Sequence, residues 1–192
     1  MGKLLITGFD PFGGEQINPA WEAVNALPEQ VGEYTLCKLQ IPTVFGLAAE
    51  KVLAFADSCH PDAILCIGQA GGRSAITPER IAVNIRDGKI PDNAGFRPNG
   101  EQVSADGPAA YFTTLPVADM VAAISTTGVP AVASNSAGAF VCNDTLYSLL
   151  HHYAGTAVRV GFIHVPYLPE QGTPNLPLAD IVRGLEAAIF AL

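Results

Sequence analysis

Short apolar runs separated by amphipathic stretches set the pattern of this chain. Lys3–Thr7, Tyr34–Leu39, Ala63–Ile67, Ile81–Ile85, Ala131–Ser134 and Ala157–Val165 read as strands. Several are apolar at consecutive rather than alternate positions, the mark of strands buried on both faces. Helical patterns lie between most of them. Asn18-Pro19-Ala20-Trp21-Glu22-Ala23-Val24 opens with a capping Asn and a Pro suited to the first turn, and Thr43-Val44-Phe45-Gly46-Leu47-Ala48-Ala49-Glu50 opens a second helix in a similar way. Further helices are predicted over Pro116–Thr126, Asn143–Tyr153 and Leu178–Ala191. The alternation predicts an α/β sandwich with a largely parallel sheet covered on both faces. In such sheets reactive groups gather beyond the carboxyl ends of the strands. Gly88–Pro108, rich in Gly, Pro, Asn and Asp, reads as a long loop able to wall a site there.

Composition narrows the function. A chain of 192 residues, 49% hydrophobic and 15% charged, is expected to form one domain over residues 1–192. The formal net charge is −8 and no basic stripe is present, which argues against nucleic acid and anionic membranes as partners. The apolar run at Lys3–Thr7 is shorter than a signal h-region and reads as a first strand, so the chain is expected in the cytoplasm. Cys37, Cys59, Cys66 and Cys142 are therefore expected as free thiols. Neither metal-ligand spacing nor a nucleotide fingerprint appears, so no metal or cofactor is expected: Thr7-Gly8-Phe9-Asp10-Pro11-Phe12-Gly13-Gly14 lacks both the Gly-Lys-Ser/Thr ending and the dinucleotide glycine spacing.

Candidate chemistry centres on Cys142. A small-residue turn, Ser136-Ala137-Gly138-Ala139, precedes Phe140-Val141-Cys142, and a helical pattern follows. A thiol near a helix N-terminus is exposed to unpaired N–H groups and to the positive dipole end, which favour a thiolate and can bind an oxyanion. The alternative is a small buried apolar residue. His151 and His152 close a helix, and His60 follows one, so none needs a catalytic explanation. His164 ends the apolar run Val158–Ile163 at a strand's carboxyl end, the edge expected for Cys142, and the two form a candidate nucleophile and base. Phe9 and Phe12 either wall a flat apolar ligand or fold onto the core. Arg73 follows the glycines of Gly68-Gln69-Ala70-Gly71-Gly72 and could meet a phosphate; Glu79 by itself reads as a surface carboxylate paired with Arg80. A binder of flat ligands using Phe9, Phe12 and Arg73, and a cysteine amidase acting on another small amide, stay open on these residues.

Three segments then carry a resemblance. Gly8–Gly14 with Asn18-Pro19, Pro78-Glu79-Arg80-Ile81-Ala82-Val83-Asn84 with Ile90-Pro91-Asp92-Asn93, and Ala137-Gly138-Ala139-Phe140-Val141-Cys142-Asn143 with Gly161–Gln171 resemble the pyroglutamyl peptidases through nearly the whole chain. The resemblance implies a three-layer α/β/α sandwich with a mixed, largely parallel sheet. It also implies a soluble, often tetrameric cysteine peptidase, without metal or cofactor, acting on peptides that begin with pyroglutamate. Position by position, Cys142 matches the nucleophile, His164 the base and Glu79 the acidic member. Phe9 and Phe12 match aromatics around the lactam ring, Phe140 and Val141 line the pocket, Gln69 offers its backbone, and Lys89 and Ile90 fall beside the site. Lys89 stands where the family commonly has Arg, so charge is kept while the planar multi-donor geometry is lost.

Overall fold

The computed structural model describes residues 1–192. β1 (Gly2–Phe9) is buried from Leu4 onward and forms the middle of a six-stranded sheet. α1 (Pro19–Ala26) follows, its first turn closed by the Asn18 side chain accepting from the Ala20 N–H. β2 (Gln30–Val31) and β3 (Tyr34–Ile41) form one side of the sheet, and α2 (Leu47–Cys59) leads to β4 (Ala63–Gln69) on the other side of β1. β5 (Thr77–Pro78) closes the far edge. β6 (Ile81–Val83), β7 (Arg86–Asp87), β8 (Asn99–Glu101) and β9 (Ala110–Phe112) make two small antiparallel pairs outside the main sheet. α3 (Val117–Thr126), α4 (Val141–His152), β10 (Arg159–Val165) and α5 (Leu178–Phe190) complete the chain.

The sheet order is β2-β3-β1-β4-β10-β5, with β3, β1, β4 and β10 parallel and the two short edge strands antiparallel. Alternate side chains of each central strand feed different cores. Leu4, Ile6, Leu65, Ile67, Ile163 and Val165 pack with α1, α3 and α5; Leu5, Ile64, Cys66, Val160 and Phe162 pack with α2 and α4. The layering is α/β/α, and each buried aliphatic residue contributes about 1.5–3 kcal/mol by leaving water.

Four local differences from the sequence reading have physical causes. Ala131–Ser134 is no strand, although Ile76 bridges Ala131 and Glu79 bridges Ser134. It lies at the sheet margin with Val132 exposed, and Pro130 beside it lacks an N–H for the ladder. Ile81–Ile85 pairs through β6 with β9, outside the main sheet. α2 starts at Leu47, not Thr43: Gly46 takes a φ of 72° before it, while the Thr43 N–H and hydroxyl both bond Asp10. Cys37 and Cys59 are paired as a disulfide, contrary to the expected free thiols, because α2 returns across β3 and ends against it; Cys66 and Cys142 remain free. The loop after β7 is tied down as a wall. Asp92 accepts from the N–H groups of Phe45, Ala94 and Phe96, and the Asn93 amide donates to Asp10 and Pro11 O in the turn after β1.

Candidate active site

α4 begins one residue before Cys142, so the thiol lies in its first turn, and no side chain caps that end. The amides there keep their donors for a ligand. The two residues after Cys142 fasten the helix. Asn143, fully buried, accepts from Val83 N–H at 2.9 Å and donates to Val83 O and Ile85 O, while buried Asp144 accepts from Gly46 N–H at 2.8 Å and from Arg86 Nε at 2.5 Å. The sequence reading missed both anchors, although the run Asn143-Asp144-Thr145 on a helix otherwise destined for the core was a visible signal.

β10 carries His164 to the same place. His164 pairs in register with Gly68 of β4, so the imidazole shares a sheet face with whatever stands over Gly68. Cys142 stands there: a Cβ added to Gly68 would lie 3.0 Å from its Sγ and 2.7 Å from the Phe162 ring. A side chain at position 68 would meet the thiol and the Phe162 ring, so glycine suits this position, one residue before the end of β4.

Glu79 reaches His164 through β5, where Thr77 pairs with His164 and the Glu79 N–H bonds Phe162 O at 2.9 Å. Its Oε1 lies 2.7 Å from His164 Nδ1, with Glu79 fully buried and His164 4% exposed. A carboxylate only accepts, so Nδ1 carries the proton and Nε2 is left as the acceptor. The surface ion pair with Arg80 is not formed. Arg80 is exposed and donates to Asn135 Oδ1, whereas Arg73 Nη1 donates to Glu79 Oε1 at 2.7 Å. The guanidinium that might have met a phosphate is thus spoken for by a carboxylate.

Burial pushes the Cys142 thiol up to about 12, Glu79 and Cys66 add to the rise, and Arg73 and the helix amides oppose it. Although the residue is only partly covered, desolvation outweighs the dipole effect expected from the sequence and favours the thiol over the thiolate. Burial likewise holds His164 below the usual imidazole range, against the hydrogen bond and charge of Glu79. Burial alone would raise the Glu79 carboxyl, but the bond and charge of His164 and the bonds from Ser134 and Arg73 bring it below the usual range.

Beside the thiol lies an aromatic wall. Phe45 meets Phe140 edge-on at 5.1 Å and Phe96 at 5.9 Å, and Phe12 lies 6.1 Å from Phe140. Phe9, buried against Phe162, belongs to the core, while Phe12 is half-buried. Val141 is fully buried beneath; Ile90 is exposed and its Cδ1 nears Gly13, with exposed Lys89 next to it. Gln69 ends β4, and its Oε1 accepts from Gln171 Nε2 at 3.1 Å. Phe45 and Phe96 were not singled out from sequence, because only the fastened loop brings them to the wall.

Comparison with known proteins agrees in extent. The family model described as pyroglutamyl peptidase matches residues 2–192. The pyrrolidone-carboxylate peptidase of Levilactobacillus brevis is 54% identical, covering 99% of this chain and 97% of that protein. Among solved structures, pyroglutamyl peptidase I of Bacillus amyloliquefaciens superposes with a TM-score of 0.96 at 44% identity, covering 100% of this chain and 96% of that one. The pyrrolidone carboxyl peptidase of Thermococcus litoralis gives 0.95 at 35% identity, covering 100% and 93%. With the match running from the first strand to the last helix, the chain belongs to the pyroglutamyl peptidase family.

Proposed function

We propose that this protein is a cysteine peptidase of one catalytic domain that cleaves the amide bond after an N-terminal pyroglutamyl residue, with Cys142 as nucleophile, His164 as base and Glu79 as the acid that orients it. The single observation carrying this reading is the Glu79–His164 bond at 2.7 Å, on the sheet face where Cys142 stands over Gly68. His164 Nε2 takes the thiol proton as sulfur attacks the pyroglutamyl carbonyl, and the Cys142 N–H with its neighbours in the first turn of α4 holds the oxyanion. The imidazolium, stabilised by Glu79, returns the proton to the leaving amine. Water then enters, His164 takes its proton, and hydrolysis of the thioester frees pyroglutamate and the thiol. The starting thiol and imidazole are neutral, so proton transfer accompanies attack.

The ring side fits the substrate. Pyroglutamate offers two methylenes and an uncharged lactam, which suit Phe12, Phe140, Val141 and Ile90 with backbone groups such as those of Gln69; Phe9 supports this wall from the core. A free N-terminal Glu or Gln brings an ammonium that such a wall leaves unpaired. No helix is long and apolar enough to cross a membrane. The family resemblance supports a cytoplasmic homotetramer, which sedimentation equilibrium would check. Hydrolysis of a chromogenic pyroglutamyl amide, with prolyl and glutaminyl amides as controls, tests the function: only the first should be cleaved efficiently.

A further inference from the structure

We infer that Arg73 is a positioning residue that holds Glu79 in its ionised, His164-facing form and thereby sets the pH range of the Cys142–His164 pair. The inference rests on the triad reading above and adds a member to it. Glu79 is a fully buried carboxylate whose Oε2 has no hydrogen-bond partner, so its charge is met mainly at Oε1, with the Ser134 side chain beside it. Oε1 receives two bonds, from His164 Nδ1 and Arg73 Nη1, each at 2.7 Å. Without the guanidinium, only the imidazole and the neutral Ser134 side chain would meet a charge removed from water, a costly arrangement for a group that must stay ionised.

The guanidinium is itself fixed. It leaves the turn after β4, where its N–H bonds Ala70 O, and its fork reaches Thr77 Oγ1 and Glu79 Oε1 through Nη1 and Ser136 O through Nη2. Thr77 Oγ1 in turn donates to His164 O. One side chain thus ties the end of β4, the segment from Thr77 to Glu79 and the turn leading toward Cys142. Its outer side faces a cavity of about 550 Å³ walled by Ser74, Thr77, Ser134 and Asn135, and the Arg73 side chain is 31% exposed.

The charged and titratable groups facing His164 and Cys142 are Glu79, Arg73 and Cys66, besides each other. Among them Arg73 is the cation, and a cation favours loss of a proton from both the imidazolium and the thiol. Removing it therefore moves both limbs of the pH profile of kcat/KM to higher pH. A residue that merely braced the fold would leave the limbs in place.

The test compares wild type, Arg73→Ala, Arg73→Lys and Glu79→Gln on a pyroglutamyl amide, with circular dichroism confirming the fold. Arg73→Ala is expected to lose about tenfold in kcat with KM nearly kept, and to shift both limbs upward by about half a unit to one unit. Millimolar guanidinium, entering through the cavity, should restore part of kcat, while equal sodium chloride should not. Arg73→Lys, which keeps the charge but cannot span Glu79 and Ser136, should keep the limbs and lose severalfold in kcat. That variant carries the test should the alanine protein not fold; Lys limbs shifted upward would contradict the charge role. If Glu79→Gln is crippled while Arg73→Ala matches wild type, or is weak with unmoved limbs and no response to guanidinium, the role of Arg73 is refuted and the triad stands. If Glu79→Gln matches wild type, both fall.

Discussion

The two faces of the central sheet are built to different rules. Against α1, α3 and α5 lies an apolar core of 24 buried residues, with buried Asn18 capping α1 at its margin. Against α2 and α4 lies a smaller core of 17 whose margin includes the Cys142 thiol, His164, Glu79 and the Asn143 and Asp144 anchors. β10 contributes to both: Ile163 and Val165 face the first, Phe162 and His164 the second. Buried polar groups need partners in place before they can be tolerated, so the chemistry sits where Glu79, Asn143 and Asp144 find theirs, and the other face supplies mainly apolar burial. Neighbouring residues of one strand should therefore fail in different ways.

The sharpest way to break this comparison is a pair of adjacent alanines. His164→Ala should lower kcat by at least about 10⁴-fold while the folded protein keeps its wild-type circular dichroism, with stability falling only as far as Glu79 losing one of its donors requires. Ile163→Ala should do the reverse, with a loss of about 2–5 kcal/mol in denaturant unfolding and a kcat near wild type for the molecules still folded. Equal effects on both measurements at both sites would remove the division of labour. Next in size, Glu79→Gln should reduce kcat by on the order of a hundredfold and change KM less, because the ring is held by Phe12, Phe140 and backbone groups.

A smaller effect sharpens the electrostatics. Burial depresses His164 and raises Cys142, the latter to about 12, so the neutral pair should persist over a broad range. The acid limb of kcat/KM reports protonation of His164 and should fall below the ordinary imidazole value of about 6.5; the alkaline limb reports loss of the thiol proton and should lie above that of a free cysteine, about 8.5. A profile rising only above neutral pH, or falling before pH 8, would contradict these directions.

Much of this was legible in the residues. Continuous apolar runs marked the buried parallel strands, Asn18-Pro19 marked the start of α1, and the end of an apolar strand marked where His164 lies. What stayed hidden depends on partners distant in the chain. Glu79 and Arg80 are adjacent, but Glu79 is buried while Arg80 is exposed and bonds Asn135, so the near cation is turned away and Arg73 makes the bond. Ala131–Ser134 is strand-like in pattern yet only bridges, because hydrogen-bonding neighbours rather than local apolarity decide a ladder. Whether Cys37 meets Cys59 likewise depends on where α2 ends against β3, which no spacing reveals.

The central claim, that chemistry on this face passes through the sulfur over Gly68, is tested most directly by steady-state turnover of a pyroglutamyl amide by Cys142→Ala. The variant should show the wild-type circular dichroism spectrum and turnover at the uncatalysed background, since no other group in the site can form the acyl intermediate. Turnover within about tenfold of wild type would contradict the account and move the nucleophile elsewhere.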